Sequence, residues 1–216
     1  MMKQQDVSPG KFPFSFAHGD VDGFLHRVMD LEAAIEWESP VLRNSDLTLA
    51  VHTREVLRRF EIHFPEELPM GYDRDIFRFF LALHDAGKPE AVRVGNKRLQ
   101  HRFTAPIMER AFRRHGVDDL HASVGLAMVS GDPLGMFLKG HLRSYEASRE
   151  IREMSDAAGI RDLEAFFGLF CVYYICDAGS YPALRSLFAD LPDGRVGFSP
   201  AVRGRVELLG FGTGPC

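Results

Sequence analysis

A single all-α domain is what the sequence predicts, and three observations predict it. Apolar residues recur at spacings of three and four along almost the whole chain, while alternating strand patterns are scarce. The apolar runs begin at Ser, Thr, Asp or Asn and stop at Gly or Pro, the punctuation of helices. The chain has 216 residues, 45% of them apolar, which is enough for one sizeable core. The predicted domain is therefore the whole of residues 1–216.

The elements follow in order. Leu25, Val28, Leu31 and Ile35 mark one face of a helix predicted from Asp22 to Glu38, ended by Ser39-Pro40. A second helix begins near Asn44 to Asp46, with Leu49, His52, Val56 and Phe60 on one stripe. A third, opened by Asp73 or Asp75, carries Ile76, Phe77, Phe80, Leu83 and His84, and Gly87 and Pro89 stop it. His84 and Asp85 then fall in its last turn. Residues 91–100, AVRVGNKRLQ, read as a short β-hairpin or loop, because Val92 and Val94 alternate with charge before Gly95-Asn96.

Helices resume at Thr104-Ala105-Pro106 and run to His115-Gly116, and another spans roughly Asp119 to Ser130. A long polar-faced helix is expected from Pro133 to about Ala158. The most apolar segment, RDLEAFFGLFCVYYICDAGSYP, sets Leu163, Phe166, Phe170, Tyr173 and Asp177 on one face. Short helices after Pro182 and after Ser199-Pro200 complete the chain.

Composition narrows the function classes. Lys and Arg total 26 against 30 Asp and Glu, a net charge of -4, so there is no strong nucleic-acid signal. Cys171, Cys176 and Cys216 are odd in number and form no Cys-x-x-Cys pair, which suggests neither a disulfide framework nor a zinc knuckle. No signal-peptide stretch opens the chain and no run of about 18 apolar residues occurs. The expectation is a cytoplasmic protein with no membrane partner.

Polar residues interrupt the apolar stripes at three places: His52, His84 with Asp85, and Asp177. Burial without partners is costly for each of them. Singly, His52 reads as a hydrogen-bonded core histidine and Asp177 as a cap or turn residue. Asp85 at the negative end of a helix dipole needs a counterion, which Lys88 or a metal could supply. One economical solution joins all four residues around a cation, as a mixed nitrogen and oxygen site with positions left open for water and substrate.

This ordered set, His52, then the pair in LALHDAGKP, then Asp177 in YYICDAG, resembles the HD superfamily of metal-dependent phosphohydrolases. The resemblance covers about residues 45–180, an HD-like core with N- and C-terminal helical extensions. It implies an HD-type helical bundle in which His52, His84, Asp85 and Asp177 bind a divalent metal ion (Mn, Co, Ni, Fe, Zn or Mg), one per chain. It also implies a role for His101, which stands where many members carry a further histidine at the start of the next helix. Binuclear members use another histidine where this chain has Ser130-Gly131-Asp132; His115 and His121 fall too early. Asp132 is left as an outer partner, a weak second ligand or a helix-end residue before Pro133.

The expected reaction is hydrolysis of a phosphomonoester or nucleotide-type phosphodiester, a small phosphorylated substrate that could be a nucleotide. A divalent ion activates water and polarises a phosphoryl oxygen. Asp85 could orient or deprotonate the water as well as bind the ion. Cations for the phosphate stand just beyond: Lys88, Arg93, Lys97, Arg98 and Arg102. Lys88 is the foremost, aimed back by the turn at Gly87, and Arg102 is the next assigned to substrate. His101 could contact a phosphate oxygen, act as general acid, or be structural. The cluster Phe166, Phe167, Phe170, Tyr173 and Tyr174 reads as core that could also wall a nucleotide pocket. Two other readings compete: a di-iron HD-type oxygenase, and a non-catalytic module that senses a nucleotide or binds a protein.

Overall fold

The computed structural model describes residue 12 and residues 17–43, 45–65 and 67–212, with the Lys97 side chain left out. The fold is all-α, with one two-stranded hairpin among the described residues. Its centre is α9 (Leu163–Ser180), in which Phe166, Phe167, Leu169, Phe170, Ile175 and Cys176 are fully enclosed. Burying each such phenylalanine stabilises the fold by about 1.5–3 kcal/mol. This is also the only helix among the described residues long and apolar enough to cross a membrane, and 72% of it is buried inside the fold, as a core helix would be.

Around α9 pack α2 (Leu49–His63) and α8 (Ser144–Ala157), and α2 in turn carries α1 (Val21–Leu31) and α3 (Arg74–Leu83). The stripe predicted on α2 holds: Leu49, His52, Val56 and Phe60 are all buried. Asp73 caps α3, accepting a bond from the Ile76 amide, and His84 follows the last helical residue. Cys171 and Cys176 are buried in α9, whereas Cys216 lies outside the described residues.

Several boundaries differ from expectation, each for a local reason. The first helix stops at Leu31 rather than Glu38. Glu32 turns its carboxylate inward to Arg114 and His115, and its carbonyl accepts the Ile35 amide at 2.9 Å in a tighter turn and the Trp37 indole N–H at 3.2 Å. The second helix starts at Leu49, capped by Thr48, because residues 40 and 48 first pair across a compact loop. Asn44 lies outside the described residues.

Residues 91–100 form no hairpin. Lys88–Arg93 is a short helix, α4, followed by a 3-10 turn and α5 (Gln100–Arg114). Gly95 takes a left-handed φ of 72° there, a conformation that serves a helix end as well as a hairpin turn. Helix α5 thus begins four residues before Thr104, which is an interior residue whose hydroxyl accepts the buried Gly87 amide at 3.1 Å.

After α6 (Asp119–Met128), the long helix expected from Pro133 is two, α7 (Pro133–Leu138) and α8. Gly140 at φ 77° breaks it, and the His141 amide closes the turn onto the Met136 carbonyl. The hairpin that does form is β1 (Phe188–Asp190) against β2 (Val196–Phe198), antiparallel with Phe188 opposite Phe198. Both rings lean against Tyr174 in tilted contacts, which ties the hairpin to α9, and α10 (Pro200–Glu207) follows.

Candidate metal centre

Three helices deliver the polar residues to one point. His52 comes from the first turn of α2, His84 and Asp85 from the end of α3, and Asp177 from the last turn of α9. One ligand atom from each of the four lies within 4.8 Å of all the others. His52 Nε2 is 2.9 Å from Asp85 Oδ2 and 3.2 Å from Asp177 Oδ1. His84 Nε2 is 3.6 Å and 3.4 Å from the same two oxygens. The imidazoles and Asp85 are about 1% exposed, while a quarter of Asp177 reaches solvent.

Hydrogen bonding fixes what the imidazoles present. His84 Nδ1 sits 2.6 Å from the Leu81 carbonyl, which only accepts, so Nδ1 carries the proton. Ser180 Oγ donates to the Asp177 carbonyl at 2.7 Å, and its lone pair therefore faces His52 Nδ1 at 3.1 Å, placing the proton on that nitrogen too. In the neutral rings both Nε2 lone pairs then point inward at two carboxylate oxygens. His84 Nε2 and Asp177 Oδ1 are buried with no hydrogen-bond partner among the described residues. Four inward electron pairs with two orphaned atoms fit a divalent cation, and backbone or hydroxyl bonds to the far ring nitrogen are how such histidines are oriented.

Positive charge reaches the cluster from Lys88, whose Nζ is 2.5 Å from Asp85 Oδ2 and 2.7 Å from the Tyr181 hydroxyl. Gln100 Nε2 donates to Asp85 Oδ1. Burial alone would raise the Asp85 carboxyl, but the Lys88 ammonium, and after it His84 and His52, hold it well below the usual carboxylate range. Asp177 behaves likewise with no ion bound: burial opposes ionisation, and the His52 and His84 rings and then the Lys88 ammonium overcome it, while Asp177 and Asp85 in turn draw His52 towards its protonated form, the one in which Nε2 donates. Burial lowers Lys88, yet Asp85, Tyr181 and Asp177 together keep it firmly protonated.

Because both carboxyls are depressed on folding, their stabilisation is complete above the ordinary unfolded value near pH 4 and is lost as pH falls through their lower folded values. In chelator, denaturation midpoints of the native protein are expected to drop on acidification below about pH 4, and those of Asp85→Asn to drop less. Urea titrations across that range check it; equal slopes would mean that Asp85 is not held low.

A cavity of about 690 Å³ opens beside the cluster. Lys88, Arg98, Gln100, His101 and Lys139 line its polar side, and Phe170, Tyr173 and Tyr174 line an apolar wall. His101, the second residue of α5, lines the cavity. Arg102 does not: it is exposed on α5 and does not line the cavity. Arg93 is also turned away, paired with Glu90 and Glu36. Nothing is described of the Lys97 side chain. Asp132 faces the cavity half-exposed, but one oxygen caps α7 through the Gly135 amide at 2.9 Å and the other meets Lys139 at 3.3 Å. It does not join the four-residue cluster.

Gln100, Ser180 and Tyr181 were not anticipated. Ser180 and Tyr181 follow Asp177 by three and four residues, a spacing that returns them to its face, and Gln100 directly precedes His101. His18, His26, His63, His115, His121 and His141 do not line the cavity. Comparison with protein-family models, with curated proteins and with solved structures finds no match for the chain.

Proposed function

We propose that the chain is a metal-dependent phosphohydrolase of the HD type, acting on a phosphomonoester or nucleotide-type phosphodiester. The observation that carries the reading is the convergence of two Nε2 lone pairs and two ionised carboxylates within 4.8 Å, at the edge of a cavity lined with cations. His52, His84, Asp85 and Asp177 would hold one divalent ion. Such an ion supplies Lewis-acid activation of water and of a phosphoryl oxygen.

The chain's own groups do the rest. Gln100 fixes one oxygen of Asp85, so the other keeps a constant direction towards the cluster and can orient a water by accepting its hydrogen bond. A carboxyl held so low is a weak base, which favours orientation over proton abstraction. Lys88 and Arg98 offer positive charge to the phosphate, and His101 stands on the same wall to donate to a phosphoryl or leaving-group oxygen. The apolar wall of Phe170, Tyr173 and Tyr174 suits the organic part of a small phosphorylated molecule, and the cavity volume lies in the range of small-ligand sites. Asp132, committed to a helix cap and to Lys139, supports one ion rather than two, which disfavours a di-iron oxygenase.

Purified protein is expected to carry about one divalent ion per chain and, with added Mn, Co, Ni or Mg, to release phosphate from some member of a panel of nucleoside monophosphates, cyclic nucleotides and sugar phosphates. Metal analysis that finds no ion, together with no phosphate release under any of these metals, would sink the reading. Oxygen uptake by iron-loaded protein without phosphate release would favour the oxygenase.

A further inference from the structure

Asp85 Oδ2 is the most contested atom of the cluster. It is one of the four converging ligand atoms, 2.9 Å from His52 Nε2, yet the Lys88 ammonium already sits on it at 2.5 Å. Lys88 is held in place from the other side by the Tyr181 hydroxyl at 2.7 Å, and that hydroxyl lies 3.4 Å from His52 Nε2. The ammonium thus stands against the same electron pairs that would receive an ion. Two positive groups on one carboxylate oxygen repel, and a lysine stem has the freedom to withdraw. Both Lys88 and Tyr181 line the cavity, so Lys88 has somewhere to go.

We propose that Lys88 supplies the cluster's positive charge when no ion is bound, and that an entering divalent ion displaces it from Asp85 Oδ2 and so presents its ammonium to an anion in the cavity. The inference rests on the metal centre proposed above. It gives Lys88 two opposed effects. It weakens ion binding, because the ion must displace it, and it strengthens phosphate binding, because displacement leaves the ammonium unpaired beside the cavity. A lysine serving only to neutralise phosphate would show the second effect alone. A lysine serving only the fold would show neither.

The test compares the native protein with Lys88→Met, both stripped with chelator, by calorimetric titration with Mn2+. The variant is expected to bind Mn2+ roughly ten-fold more tightly, a coupling of ordinary size between linked sites. Its thermal midpoint should lie below the native one in chelator and rise further when Mn2+ is added, since the ion restores the missing charge. Inorganic phosphate should bind the Mn2+-loaded variant more weakly than the loaded native protein. Equal or weaker Mn2+ affinity in a folded variant overturns the inference and leaves the metal centre standing. Absence of Mn2+ binding by the native protein removes the metal centre and the inference together. If Lys88→Met does not fold in chelator, Lys88→Gln, which can still hydrogen-bond Asp85 and Tyr181 without charge, carries the same comparison.

Discussion

Replacing His84 and Asp85 together by alanine is expected to abolish turnover and ion binding while leaving the helical signal largely intact. The pair contributes two of the four converging atoms, and the remaining His52 and Asp177 cannot enclose an ion. Loss of a group that merely orients a ligand costs about 10–100-fold in affinity or activity, so loss of two ligands should exceed roughly a hundred-fold. The fold has reasons to survive. His84 follows the last residue of α3, so its ring is not needed to continue that helix, and Asp177 remains to face Lys88. Breaking a buried ion pair can nonetheless cost about 3–5 kcal/mol, and the circular dichroism spectrum and thermal midpoint must be read beside the activity. Asp85→Asn is the milder companion: it keeps an oxygen for Gln100 and removes only the charge. Activity that persists in the folded double variant would mean that the metal assignment is wrong.

The parts of this site that were legible in the sequence were those set by helical period. His52 repeats with Leu49, Val56 and Phe60, and Asp177 with Phe170 and Tyr173, so a polar residue on an apolar stripe announced its burial before any contact was known. What period cannot carry is the partner supplied by another segment. Gln100 reaches Asp85 only because α5 starts at residue 100, and that start was hidden by a Gly-Asn pair that signals a hairpin and a helix end equally well. Arg102 failed for the related reason that its neighbours' directions depend on where α5 begins: with Gln100 and His101 turned to the cavity, Arg102 points to solvent. Gly140 shows the same limit, since a left-handed glycine inside an apparently continuous pattern separates α7 from α8. The strands at Phe188–Asp190 and Val196–Phe198 are three residues each, too short to display alternation, and they exist because Phe188 and Phe198 find Tyr174.

Gly87→Ala is expected to be among the most destabilising single substitutions in the chain, at about 3 kcal/mol or more. In LALHDAGKPE the glycine reads as a helix stop, a role that would draw on left-handed backbone. Its φ is -92° and its ψ is -2°, a conformation open to alanine, and what excludes a side chain is proximity. A Cβ there would lie 2.3 Å from the Thr104 amide nitrogen, 2.5 Å from the Phe103 carbonyl carbon and 2.6 Å from Phe103 Cβ. Two of these are backbone atoms inside α5 and cannot rotate away, so the added methyl must push α4 from α5 and break the Gly87 amide bond to Thr104. Lys88 is the next residue, and Asp85 stands two before, so the displacement also disturbs the cluster and should weaken ion binding. Gly95→Ala provides the contrast: its φ of 72° strains alanine, but open space surrounds it, and a cost of about 1 kcal/mol is expected. Urea denaturation of both variants measures the difference. If Gly87→Ala costs no more than Gly95→Ala, the close approach of α5 to Gly87 is not what that glycine serves.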